Sequence, residues 1–295
     1  MSALNEIFNY SNRGDEFYTR YSDISKELSN YDLSNMVVYC NCDNPKRSNF
    51  YKYFKENFEA KGIKKLIATS NDRIPYLYEY DGVNEKKLPI NSGRFQQNSN
   101  IINMCDILVT NPPFSSGMAL ELINMIMNAG KKFIIVAPLS LITRKTIFNY
   151  VNKGLLSIGY TSINSFETVD ESKLNSSTCW WTNLKVDKPF MPLTSNYDEN
   201  IYPKYDNYDA IDCSKTKMIP SGYNGIIGVP IRFITKYNPK QFRLIGILNH
   251  PRINGRNIMS RILIQNIGIN EGIKRIRISE NTYKKMFKDI CIIKK

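Results

Sequence analysis

Four short runs, Met36-Val37-Val38-Tyr39-Cys40, Lys64-Lys65-Leu66-Ile67-Ala68-Thr69, Ile107-Leu108-Val109-Thr110 and Lys132-Phe133-Ile134-Ile135-Val136-Ala137, restrict this chain more than any other feature. Each is too short for a helix and largely apolar, the pattern of a strand buried on both faces. Between the first two, Pro45 to Phe58 carries Phe50, Tyr53, Phe54 and Phe58 at helical spacing, with Gly62 expected as its C′ residue. Met118 to Ala129 is apolar nearly all round, which predicts a buried helix. Strand alternating with helix implies a parallel sheet with helices on both faces, a Rossmann-like α/β core. Residues 70–100 read as a polar, irregular, partly extended connection. Beyond about residue 160 the texture changes: Thr178–Leu184 and Ile226–Ile234 are short strand candidates around a polar, tyrosine-rich stretch from Tyr197 to Tyr223. The expected division is a core over 1–184 and a second region over 185–295, which adds the remaining sheet elements and the target contacts.

The third run leads directly into Asn111-Pro112-Pro113-Phe114. Reacting groups in α/β sheets sit at the carboxyl ends of strands, and Asn111 falls there. The prolines fix their own φ and push Asn111 away from helical angles, so the loop is stiff before any ligand arrives. Such a loop suits methylation of a nitrogen in a planar group, whose lone pair is delocalised and poorly nucleophilic. The Asn111 amide oxygen and the Pro112 carbonyl can each accept one N–H hydrogen of the target amine. That aims the lone pair and stabilises the charge developing on nitrogen. Phe114 offers a flat face for stacking. Without that chemistry the same residues are a strand followed by a proline-rich turn.

Lys+Arg of 40 against Asp+Glu of 27 gives a formal charge of +13, which points to a polyanionic partner. The single histidine, His250, argues against Ser-His-Asp chemistry and reads as a surface residue; no metal is expected. Six cysteines lack disulfide-framework spacing, and Cys40-Asn41-Cys42 is too close for a zinc knuckle, so reduced thiols are expected. The start Met1-Ser2-Ala3-Leu4-Asn5-Glu6 lacks a basic-then-apolar signal, and the stretch around Phe133–Leu139 is broken by Pro138 and too short to span a bilayer. The expectation is cytoplasmic. From Arg252 onward the chain is basic. Arg252, Arg256 and Arg261, with Lys204, are the candidates for phosphate contact, against the plainer reading of a solvated face.

With these residues in view the chain resembles the EcoRI-type adenine-specific DNA methyltransferases. The resemblance is carried by Asp15-Glu16-Phe17-Tyr18-Thr19, Val37-Val38-Tyr39-Cys40-Asn41-Cys42-Asp43 and Asn111-Pro112-Pro113-Phe114. It continues through Trp181-Thr182-Asn183-Leu184, the block Tyr202 to Ile211, and Gly228-Val229-Pro230-Ile231, spanning roughly 15 to 265. It implies S-adenosylmethionine as methyl donor, duplex DNA as substrate, adenine N6 as acceptor and a C-terminal DNA-recognition region. It also implies that Asp15, Phe17, Tyr18 and Thr19 help hold the methionine end of the cofactor, with Cys40, Asn41, Cys42 and Asp43 under its ribose and methionine. A strand-to-helix loop offers backbone N–H groups suited to a carboxylate.

The glycine-rich loop common among methyltransferases is replaced by Asn41-Cys42-Asp43-Asn44-Pro45, which the EcoRI type shares. Where an acidic residue is expected for the cofactor's adenine amine, the chain has Asn91-Ser92-Gly93-Arg94-Phe95. Phe95 is the candidate for packing on that ring, and Asp72 for the ribose hydroxyls. The expected reaction is direct transfer to an adenine flipped out of the duplex, in a restriction-modification setting that leaves room for a cognate endonuclease. A monomer is expected. Two other readings stay open: methylation of RNA adenine or a protein amide, and a catalytically silent DNA-binding protein on a methyltransferase scaffold.

Overall fold

The computed structural model describes residues 19–41, 43–70, 74–112, 116–163, 166–167, 173–174 and 177–267. They form two compact units: the described residues up to Leu141 with Leu156–Val186, and Ile142–Leu155 with the described residues from Asp187 on.

The first unit is built on an eight-stranded sheet. Its strands are β1 (Val37–Cys40), β2 (Lys65–Thr69), β3 (Tyr76–Tyr80), β4 (Glu85–Pro89), β5 (Ile107–Thr110), β6 (Lys132–Pro138), β7 (Ser157–Ser162) and β10 (Thr178–Thr182). A short antiparallel ribbon, β8 (Phe166–Glu167) with β9 (Lys173–Leu174), falls between β7 and β10 in sequence. The spatial order is β4-β3-β2-β1-β5-β6-β10-β7. Only β2, β1, β5 and β6 run parallel; the two strands on each flank pair antiparallel. The sheet is therefore mixed, where alternation alone predicts a parallel one. Parallel neighbours need a crossover, and helix α2 (Asn49–Glu56) connects β1 to β2 as α4 (Ser116–Asn128) connects β5 to β6. The link from β2 to β3 is too short for one, so β3 turns back.

Helices α1 (Tyr21–Leu28) and α2 cover one face. Ile24, Leu28, Phe50 and Phe54 pack there against Val38, Cys40, Leu66, Ala68, Val109, Ile134, Val136 and Trp180. The alternate residues Tyr39, Ile67, Leu108, Ile135 and Trp181 are equally buried on the opposite face. A strand buried on both sides reads as a continuous apolar run, which is why these four were visible in sequence. Ser48 caps α2, its hydroxyl accepting from the Phe50 and Tyr51 N–H groups. The helix therefore begins at Asn49 rather than at Pro45, because Asn44 to Arg47 form a turn ahead of the cap. Gly62 (φ +60) closes a turn beyond the helix rather than serving as C′, because α2 already ends at Glu56 with Asn57 as C-cap.

Two clamps hold the sheet's far flank. The buried Glu27 carboxylate accepts from Tyr160 N (2.9 Å), Thr161 N (2.7 Å), the Thr161 hydroxyl (2.6 Å) and the Tyr31 hydroxyl (2.7 Å), fixing β7 to α1. A Cβ on Gly159 would lie 2.1 Å from Glu27 Oε1, so only glycine fits. At the other end of β10, Thr182 Oγ1 donates to Phe133 O (2.6 Å), while Asn183 accepts from Phe133 N (2.9 Å) and donates to Lys131 O (2.8 Å).

Three further expectations change. Residues 70–100 hold the β3–β4 hairpin, a 3-10 turn (Phe95–Gln97) and the start of helix α3 (Ser99–Met104). The overlooked signal is Tyr76-x-Tyr78-x-Tyr80 followed by Asp81-Gly82, period-two aromatics ahead of a turn. Helix α4 is fully buried only along Ala119, Leu122, Ile123 and Ile126; Met118, Leu120, Met125 and Met127 are partly covered. The segment Ile226–Ile234 forms a strand only to Pro230, after which Ile231–Lys236 turn into a 3-10 helix.

The second unit contains helix α5 (Lys145–Asn152) and a four-stranded sheet. Its strands are β11 (Ile211–Asp212), β12 (Ile227–Pro230), β13 (Phe242–Leu248) and β16 (Arg261–Asn266), in the order β11-β12-β16-β13. A hairpin of β14 (Arg252–Ile253) and β15 (Arg256–Asn257) projects between β13 and β16 in sequence. Among the described residues no helix is long and apolar enough to cross a membrane.

Candidate active site

In the first unit the chain runs from β1 outward to β2 and then returns to place β5 on β1's other side. The order reverses between β1 and β5, and the crevice beyond the carboxyl ends of two such strands is where open α/β sheets take ligands. The residues that leave those ends are Asn41 and Asp43 from β1, and Asn111 and Pro112 from β5.

Hydrogen bonds lock these ends together. Thr110, the last residue of β5, places its hydroxyl against the Asn41 carbonyl and 2.7 Å from Asp43 Oδ2. The Ser48 hydroxyl, which caps α2, donates to Asp43 Oδ1 at 2.7 Å. Asn41 Oδ1 accepts from the Tyr39 hydroxyl (2.9 Å) and from Thr69 Oγ1 (3.1 Å) at the end of β2. Three strand ends and one helix start thus share one buried polar network, satisfied largely from within.

Asp43 is 8% exposed, and burial pushes its carboxyl up to about 7, against the opposing effect of the Ser48 and Thr110 hydroxyls. Thr110 has one hydroxyl hydrogen for two acceptors, the Asn41 carbonyl and Asp43 Oδ2, while Ser48 donates to Asp43 Oδ1. The Cys40 thiol beside them is buried and held well above its ordinary range by the same desolvation. It is a packing group, not a thiolate nucleophile.

The remaining candidates fall out as follows. Thr19 is buried, its carbonyl accepting from Asn49 Nδ2 (2.9 Å) at the first residue of α2, and its buried hydroxyl has no hydrogen-bond partner among the described residues. Asn111 is half-buried with its side-chain oxygen sealed from solvent, and Pro112 is buried. Phe95 is 1% exposed in the 3-10 turn before α3, with Arg94 exposed beside it. Asp15, Phe17, Tyr18, Cys42, Asp72, Pro113 and Phe114 lie outside the described residues. Among the described residues no cluster of His, Cys, Asp and Glu is arranged to hold a metal ion, and Cys40, Cys105, Cys179 and Cys213 form no disulfide.

In the second unit, Lys204, Arg252 and Arg256 are exposed, as is His250. Arg261 is different. Its Nε donates to Asp212 Oδ1 at 2.8 Å, with side chains 12% and 6% exposed, and the Tyr205 hydroxyl donates to the same oxygen at 2.6 Å. Gly228 makes room for that tyrosine, since a Cβ there would meet its hydroxyl at 2.0 Å. This arginine neutralises a buried acid, so structural work accounts for it without a phosphate.

Comparison with known families matches the chain over residues 8–91 and 77–295 to the family described as adenine-specific methyltransferase EcoRI. The chain belongs to this family. Among curated proteins it is 39% identical to the type II methyltransferase M.EcoRI of Escherichia coli, over 90% of this chain and 98% of that protein. Type II methyltransferases M.MgeORF184P of Mycoplasma genitalium and M.MpnI of Mycoplasma pneumoniae are each 33% identical, over 81% of this chain and 84% of theirs. No solved structure matches. As an EcoRI-type enzyme the chain is a methyltransferase, and its switch-point network gains four residues that sequence reading missed: Tyr39, Ser48, Thr69 and Thr110. The available signal was a hydroxyl residue ending each of two apolar strands, and a serine just ahead of a helical run.

Proposed function

We propose that this chain transfers a methyl group from S-adenosylmethionine to the N6 atom of an adenine in duplex DNA, as the modification enzyme of a restriction-modification pair. One observation supports the site assignment: Thr110 ties the end of β5 to the loop after β1, which brings Asn111 and Pro112 beside Asn41 and Asp43. The family match and the names of the relatives support the reaction class.

The residues present fit a cofactor of this kind. Among the described residues the buried Thr19 hydroxyl has no hydrogen-bond partner, and the Thr19 carbonyl accepts from the side chain of Asn49, the first residue of α2. Thr19, Asn41 and Asp43 would hold its methionine and ribose parts, with Asp15, Phe17, Tyr18, Cys42, Asp72 and Phe95 as further candidates. When bound, the cofactor supplies an electrophilic methyl group on a sulfonium. The chain's own part is to orient the acceptor. Asn111 Oδ1 and the Pro112 carbonyl take the two N–H hydrogens of the adenine amine, which aims its lone pair and spreads the positive charge that grows on nitrogen. Prolines at 112 and 113 restrict the loop backbone, and the Asn111 side chain turns out of its solvent-sealed position to meet the amine. Phe114 stacks on the extruded base, whose removal from the duplex costs a few kcal/mol.

Lys204, Arg252 and Arg256 supply contacts to DNA from the second unit, and a cytoplasmic monomer suits an enzyme that modifies one adenine at a time on its own genome. Methyl incorporation with duplex DNA and RNA in competition tests the substrate, and calorimetry with S-adenosylmethionine tests the cofactor. Incorporation into DNA alone, with measurable cofactor binding, is expected. Preferential incorporation into RNA, or no binding, overturns the proposal.

A further inference from the structure

We propose that Arg252 is a base-reading residue, a guanidinium held on a preformed β-ribbon to hydrogen-bond the major-groove edge of a guanine in the target site. The inference rests on the reading of the chain as a DNA methyltransferase and adds a specificity-determining contact to it.

The ribbon is built to stay rigid while exposed. Asn254 (φ +49) and Gly255 (φ +74) both take the left-handed region, the two-residue turn whose twist matches that of paired strands. The Asp206 carboxylate accepts from both turn amides, Asn254 N at 2.9 Å and Gly255 N at 2.8 Å, and Asp206 N donates to Arg252 O at 3.0 Å. Ile253 and Ile258 pack on the cluster of Tyr205, Ala210, Ile245, Leu248 and Leu263. Most of the ordering that a loop would undergo on binding is thus already done.

Arg252 and Asn257 face each other across the ribbon, and Arg252 Nε donates to Asn257 Oδ1 at 3.0 Å. This bond orients the guanidinium plane but leaves its terminal N–H fork unengaged by Asn257. The partner is a neutral amide, so the positive charge is not cancelled. Arg261 shows the contrast, with its Nε committed to a buried carboxylate. A fixed fork on a narrow two-stranded ribbon matches the side-by-side O6 and N7 acceptors of guanine, and such a ribbon fits the major groove. A phosphate can also take an arginine fork in two bonds, so the two contacts part by their effect: a base contact sets discrimination at one position, a phosphate contact affinity at all of them.

The test uses the full-length chain, its methylated motif first mapped in a host without adenine methylation. Steady-state methylation is then measured on duplexes carrying each single base-pair change, for wild type, Arg252→Ala and Arg252→Lys. Both variants are expected to lose about tenfold or more discrimination at one G·C pair, with discrimination elsewhere unchanged. Asn257→Ala should loosen the same position to a smaller extent. The inference is overturned if Arg252→Lys discriminates as wild type does at every position. It is equally overturned if Arg252→Ala weakens all sites alike and lowers the salt slope by about one, which marks a phosphate contact. A wild-type chain inert on DNA overturns the reaction itself, and this inference with it.

Discussion

The switch-point network of the first unit and the hairpin of the second handle polarity in opposite ways. At the strand ends, Asn41, Asp43, Thr69 and Thr110 are buried and joined by hydrogen bonds, and burial raises the pKa of the one acid among them. On the hairpin, Arg252 and Arg256 stand exposed and charged, while a carboxylate braces the turn's backbone. The first arrangement suits a site that excludes water and holds a ligand by geometry. The second suits a charged partner that arrives from solution. Substitutions in the first region should therefore cost stability or chemistry, and those in the second should cost only binding and selectivity.

The largest effect is expected from Asn111→Ala, which removes an acceptor from the target amine. Its kcat should fall by at least about 100-fold, with DNA affinity nearly unchanged. Matched kinetics and binding isotherms check this. Next comes the pH dependence from Asp43. Its folded pKa of about 7 lies above the ordinary carboxylate value, so its favourable contribution is complete in acid and is lost as pH rises through 7. Asp43→Asn mimics the protonated acid. The variant's stability relative to wild type should grow by on the order of 4 kcal/mol between pH 4 and pH 8, read from denaturant melts. A flat difference would mean that Asp43 is ionised in the fold.

Thr110→Val keeps the shape but strands the Asn41 carbonyl and Asp43, and should cost about 1–3 kcal/mol. The smallest effect on folding is expected from Arg256→Ala, within about 0.5 kcal/mol of wild type by thermal melting. Its DNA affinity should nevertheless fall, with a salt slope shallower by about one. A folding penalty as large as that of Thr110→Val would break the contrast between the two regions.

The same contrast explains what could be read in advance. Strands β1, β2, β5 and β6 were legible because both their faces are buried and the sequence is apolar throughout. Asn111 was legible because two prolines follow it. The β3–β4 hairpin was not, since an edge exposed to water carries Glu85, Lys86 and Lys87 and looks like a loop. Thr110 and Ser48 gave little warning, because a hydroxyl that bridges two strand ends has the same letter as one facing solvent. Arg261 has a partner that the sequence did not show. Its charge suggested a phosphate, and only the fold brings Asp212 to it, from 49 residues away.

The central claim is that the crevice joining β1 and β5 methylates adenine in DNA through Asn111. Expressing the chain and its Asn111→Ala variant in a host without adenine methylation, then mapping N6-methyladenine across the genome, tests this directly. The prediction is methylation at one short motif with the wild-type chain and none with the variant. An unmethylated genome with the wild-type chain, or an unchanged pattern with the variant, would contradict it.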